Sequence, residues 1–89
     1  MTVRLIVYGQ VQGVFFRQSA KREADKLGLV GWVRNEADGT VEVLAVGPKN
    51  QLEKFIEWCK NGPDAAKVEK VDVDWSKGAE SFDGFEIVG

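Results

Sequence analysis

The order of hydrophobic patterns in this chain predicts an α+β fold: two helices over one face of a mostly antiparallel sheet. Three observations carry the expectation. Short β-rich runs recur along the chain, two amphipathic helical stretches lie between them, and Gly28, Asp38-Gly39 and Gly62-Pro63 punctuate the pattern. At 89 residues, the whole of 1–89 is expected to be one domain, long enough to bury a single core.

Residues 3–9 are β-rich and partly alternating, and read as a strand running directly into a glycine-containing loop. Phe16, Ala20, Ala24 and Leu27 then recur at helical spacing, predicting a helix over about 16–27 that Gly28 stops. Residues 31–35 and 40–46 form two further strands around the turn Glu36-Ala37-Asp38-Gly39. Asn50, with Glu53 three residues on, resembles a capping box, and Leu52, Phe55, Ile56 and Cys59 supply the apolar stripe of a second helix ended by Gly62-Pro63. Residues 68–75 alternate imperfectly but read as a strand, a polar loop follows over 76–81, and a short strand is expected around 85–88. This β-α-β-β-α-β order plus a terminal strand is the split βαβ, ferredoxin-like sandwich. That fold hosts many activities, so function must be read from a site.

Composition excludes several classes. Net charge is −2 with no basic run, unlike a general nucleic-acid binder. Strand 40–46 offers neither the aromatic nor the basic residues of an RNA-binding sheet. No apolar run approaches the roughly 20 residues of a membrane span, and the N-terminus carries no secretion signal. Cys59 is the only cysteine, so no internal disulfide forms and the cytoplasm is the expected compartment. Histidine is absent altogether, which removes Ser-His-Asp and Cys-His mechanisms and histidine metal sites.

The most informative segment is Gly9-Gln10-Val11-Gln12-Gly13-Val14-Phe15-Phe16-Arg17, between the first strand and the first helix. Glycines let such a loop fold tightly, so that several N–H groups point into one small space. The helix start adds free N–H groups and a dipole that favour an anion. Arg17 adds a planar, permanently charged fork able to grip two phosphate oxygens. The loop Gln12, Gly13, Val14, Phe15, Phe16 and Arg17 is therefore the expected phosphate cradle. Nucleotide-hydrolysing loops need Gly-Lys-Ser/Thr, dinucleotide-binding loops need a third glycine in a parallel βαβ unit, and neither is present. A cysteine phosphatase would carry its thiol in the loop, whereas Cys59 falls on the second helix.

Two signatures, residues 7–17 and Gly31-Trp32-Val33-Arg34-Asn35-Glu36-Ala37-Asp38-Gly39-Thr40-Val41 followed by Gly47, resemble those of the acylphosphatase family. The likeness continues through the second helix; only the C-terminal Phe85-Glu86-Ile87-Val88-Gly89 lacks the aromatic or basic ending of many relatives. The resemblance implies hydrolysis of acyl phosphates to a carboxylate and inorganic phosphate by a monomer, without metal or other cofactor. It implies that Arg17 binds the phosphoryl group and Asn35 positions the attacking water. The chemistry is self-consistent: a carboxylate leaves without protonation, since its acid ionises at about pH 4. Phosphoryl transfer then depends mainly on positioning and charge stabilisation. The rival expectation is a non-catalytic anion-binding module, akin to the acylphosphatase-like domains of larger carbamoyl-transferring proteins. Among the other residues, Phe16, Trp32, Trp58, Trp75 and Cys59 read as packing, Phe15 as a rim of the site, and Glu36 and Asp38 as turn residues.

Overall fold

The computed structural model describes residues 1–77 and 81–89. Its elements are β1 (Thr2–Gln10), α1 (Phe16–Lys26), β2 (Val30–Asn35), β3 (Val41–Val46), α2 (Lys49–Asn61), β4 (Lys67–Ser76) and β5 (Phe85–Ile87). The strands form one sheet in the order β4-β1-β3-β2-β5. All pairs are antiparallel except β2 with β5. The expected split βαβ sheet is thus extended by one short parallel strand at its β2 edge. Part of the polar loop expected over 76–81 lies outside the described residues.

Strand alternation decides which side is buried. Val3, Leu5 and Val7 of β1, Val33 of β2, and Val41, Val43 and Ala45 of β3 face the helices and are fully buried. They meet Phe16, Ala20 and Ala24 of α1 and Leu52, Phe55, Ile56 and Cys59 of α2. Each large apolar side chain buried in this way contributes about 1.5–3 kcal/mol relative to exposure. α1 lies over β2 and β5, α2 over β1 and β4. Trp58 packs between Phe16 and Phe55, with ring centroids 5.4 and 6.2 Å away. Trp75, by contrast, is 37% exposed at the β4 edge, so it packs only in part.

Both helix starts depart from simple capping. α2 begins at Lys49, one residue before the expected Asn50 cap. Pro48 is extended (φ −62°, ψ 142°), and its carbonyl accepts the N–H groups of Gln51 and Leu52 at 3.1 and 3.0 Å. The fixed proline φ lets the chain enter the helix early, so Asn50 stands inside the first turn and caps nothing. Gln51 instead reaches across to the Leu27 carbonyl, 3.1 Å away, tying α2 to the end of α1.

A β-bulge explains the imperfect alternation of β4. Tyr8 is paired with Lys70 and Gly9 with Val68, so Glu69 is an extra residue. The insertion keeps Val68 on the helix side along with Val71, although they are three positions apart and strict alternation would place them on opposite faces. It also presses the β4 backbone against Gly9, where a Cβ would lie 2.1 Å from the Lys67 carbonyl oxygen. Gly9 is therefore a glycine of the sheet (φ 125°) and not part of the loop that follows.

The face of the sheet without helices is pinned by charge. Glu42 of β3, its side chain only 7% exposed, accepts hydrogen bonds from Arg4 of β1 and from Arg34 of β2, the latter with Nη2 at 2.8 Å. Arg34 also bonds Glu36 at 2.7 Å and lies 4.7 Å over the Trp32 ring. Burial pushes the Glu42 carboxyl up, but the hydrogen bonds and the guanidinium charges outweigh it and hold the group below its ordinary 4.5.

Two measurements test this account. Gly9→Ala should lose more than about 2 kcal/mol in urea denaturation, because the methyl meets backbone and the positive φ is strained as well. Because the folded Glu42 carboxyl is depressed, its contribution is complete above about pH 4.5 and disappears as pH falls through the lower folded value. Glu42→Gln should thus lose about 1–2 kcal/mol at neutral pH, after allowing for screening at the exposed guanidinium ends. It should also show a flatter decline in denaturation midpoint than the native chain as the pH falls below about 4.5. Parallel declines would show that Glu42 is not the titrating group.

Candidate active site

The link from β1 to α1 makes one wall of a cleft. Gly13 (φ 73°) and Phe15 (φ 65°, ψ 21°) both take the left-handed conformation, with Val14 between them and Phe15 at the helix N-cap. Alternation of this kind turns successive N–H groups toward one concavity. No side chain caps α1, and its first turn contains no acid. The earliest helical bond runs from Ser19 N–H to the Phe15 carbonyl at 3.1 Å, leaving the amides of Phe16, Arg17 and Gln18 without intrahelical acceptors. Phe16, fully buried against Trp58, anchors the turn in the core, while Phe15 is 69% exposed at the mouth.

The opposite wall comes from the far end of β2. Asn35 is paired with Val41 and, by alternation with buried Val33, points to the helix side of the sheet. β5 closes the flank: Ile87 is paired with Val33, and Val88 N–H bonds the Val33 carbonyl at 2.9 Å. The resulting cleft, about 340 Å³, is lined by Val11, Gly13, Phe15, Phe16, Arg17 and Gln18 on one side and by Asn35 and Ile87 on the other.

Of the residues expected from sequence, Gly13, Phe15, Phe16, Arg17 and Asn35 meet in this cleft. Val14 does not; it is partly buried and packs against the core. The side chain of Gln12 also turns away, toward the β2–β3 hairpin, where Nε2 donates to the carbonyls of Glu36 at 2.7 Å and Thr40 at 2.9 Å. Val11, Gln18 and Ile87 were not anticipated. Alternation with Phe85 puts Ile87 on the helix face, but nothing in the sequence says that this strand lies beside β2.

The electrostatics are one-sided. Among the described residues, Arg17 is the only charged one lining the cleft, and no acid lines it. Asn35 Oδ1 is buried with no hydrogen-bond partner among the described residues. A buried acceptor in that state costs about 1–3 kcal/mol, and a ligand able to donate would relieve it. Asp38 serves the turn behind Asn35: its carboxylate accepts the Thr40 hydroxyl at 2.6 Å and the Thr40 N–H at 3.0 Å, and these bonds hold its pKa down. Cys59 lies fully buried in α2, where desolvation pushes its thiol far above the usual range. It packs as a small apolar group away from the cleft.

Comparison with known proteins agrees in kind with this geometry. A family model described as Acylphosphatase matches residues 3–87. An acylphosphatase of Salinibacter ruber is 51% identical over 81 residues, covering 91% of this chain and 85% of the relative. The crystal structure of an acylphosphatase from Bacillus subtilis superposes with a TM-score of 0.96 at 48% identity, covering 99% of this chain and 98% of that one. Full-length HypF contains a similar unit: the TM-score is 0.82 at 32% identity, and the match covers 99% of this chain but 12% of HypF.

Proposed function

The chain belongs to the acylphosphatase family and is an enzyme of acyl phosphate hydrolysis, and from that premise we propose how the cleft carries out the reaction. The substrate's phosphoryl group sits against the Arg17 guanidinium and the free amides at the start of α1. These donors face the equatorial oxygens, where charge must be stabilised during transfer. Asn35, across the cleft, orients a water for in-line attack; an amide both accepts from and donates to such a water. The water oxygen bonds phosphorus as the P–O bond to the acyl group breaks, and the carboxylate departs with the bonding pair. A phosphate oxygen of the substrate takes the water's proton, since the chain has no histidine and no carboxylate lines the cleft among the described residues.

The observation that carries this reading is the meeting in one cavity of Arg17, the uncapped helix start and Asn35, whose Oδ1 has no partner among the described residues. The positive field comes from the protein's own donors, which supports a reaction without metal. Among the described residues no group of three or more His, Cys, Asp or Glu is clustered to hold an ion. Phe15 and Ile87 give the mouth an apolar rim that suits the acyl side of the substrate. We read the enzyme as a monomer, with Arg17, the loop and Asn35 all supplied by a single chain. The lone buried cysteine fits a reducing cytoplasm. No helix of the described residues is long and apolar enough to cross a membrane.

The HypF likeness raises the second reading, a phosphate-binding module without turnover. An anion bound by Arg17 and the loop makes no use of Asn35 on the far wall, which favours hydrolysis.

Turnover of benzoyl phosphate in the presence of a chelator tests the scheme. The native chain should be active, and Asn35→Ala should lose about 10²–10³-fold in kcat while inorganic phosphate inhibits it as before. Arg17→Ala should lose a comparable factor in kcat and also raise KM and the phosphate inhibition constant. Weakened phosphate binding in Asn35→Ala with kcat intact would reverse the assigned roles. A folded native chain that binds phosphate without turnover would establish the binding module.

A further inference from the structure

We infer that Gln12 is a positioning residue whose side chain sets the distance between the phosphate loop and Asn35; this rests on the reading that Asn35 orients the attacking water. Gln12 precedes Gly13 in the loop, yet its amide leaves the cleft. Both of its protons go to one target, the neck of the β2–β3 hairpin, at 2.7 Å from the Glu36 carbonyl and 2.9 Å from the Thr40 carbonyl. These two carbonyls are the ones the turn itself uses. Glu36 N–H bonds the Thr40 carbonyl at 2.9 Å, and Gly39 N–H bonds the Glu36 carbonyl at 3.2 Å. Asn35 is the residue before Glu36, and its Cα partner Val41 is the residue after Thr40.

The clamp therefore grips the backbone on both sides of the Asn35–Val41 pair from a residue one step away from the loop's left-handed turn. The two halves of the site lie on different supersecondary units, β1–α1 and β2–β3, and Gln12 is a direct side-chain bridge between them. An in-line water must stand within a few tenths of an ångström of its place. Misplacement of about 1 Å costs on the order of 10²-fold in such reactions.

The test uses Gln12→Met, which keeps the length and removes both donors, and Gln12→Glu, which keeps the shape and sets an acceptor against two carbonyl oxygens. Each is made in the native chain and in Asn35→Ala, with kcat, KM and the phosphate inhibition constant measured on benzoyl phosphate. In the native background kcat should fall by about 10–100-fold for Gln12→Met and further for Gln12→Glu, with phosphate inhibition changed less than about threefold. In Asn35→Ala, neither substitution should lower the residual kcat further, because the group being positioned is gone. The NMR side-chain amide resonances of Asn35 should shift in Gln12→Met while loop amides keep their response to phosphate. Equal losses in both backgrounds, or weaker phosphate binding at unchanged kcat, would overturn the inference and make Gln12 a structural brace or a phosphate ligand. Failure of the Asn35 reading is distinguishable, since Asn35→Ala alone would then keep its turnover.

Discussion

The left-handed turn at Phe15 lets a strand from the middle of the sheet deliver its chain directly into the open end of a helix. A non-glycine residue held there costs on the order of 1–3 kcal/mol. The cost is offset next door, where Phe16 is fully buried against Trp58 and contributes about as much. Were Phe15 to relax to an extended or right-handed conformation, Phe16 would leave the core or the amides would turn from the cleft. The anion-facing geometry and the hydrophobic core are thus one structure seen from two sides.

The second half of the site depends on the same sheet by a different route. Asn35 is held by the β2–β3 register, and both of those strands are fastened to β1: through β3 on the backbone, and through Arg4, Glu42 and Arg34 on the side without helices. A single buried carboxylate therefore ties together three strands beneath the cleft. Its place on the far face of the sheet lets it stiffen the site without adding a negative charge to the cleft that holds Arg17.

Much of this was legible in the sequence because the informative signals are local. Helical spacing of Phe16, Ala20 and Ala24, the Asp38-Gly39 turn and the stop at Gly62 all act within a few residues, and all appear in the structure. The pairing of Arg17 with Asn35 was legible only through resemblance to a family, since 17 residues separate them and no pattern links them. What escaped depends on partners remote in sequence. The alternation of β4 is broken by a bulge whose cause lies at Gly9, and Ile87 joins the cleft because β5 lies beside β2. The Gln12 side chain turns from the loop because two hairpin carbonyls stand within reach. Asn50 misled for a local reason: Pro48 starts the helix first.

The position of β1 also has a kinetic side. It precedes the other four strands in chain order, and it lies in the interior of the sheet, between β3 and β4. Its β4 contacts join Thr2 to Ser76 and Gln10 to Lys67, nearly opposite ends of the chain. The loop-closure entropy of that pairing must be met before its contacts stabilise anything, which raises the barrier to folding. Until β4 arrives, β1 shows an unpaired edge to solvent. A nascent chain must carry that exposed edge through synthesis, and the cell has most reason to shield it before residues 67–76 emerge.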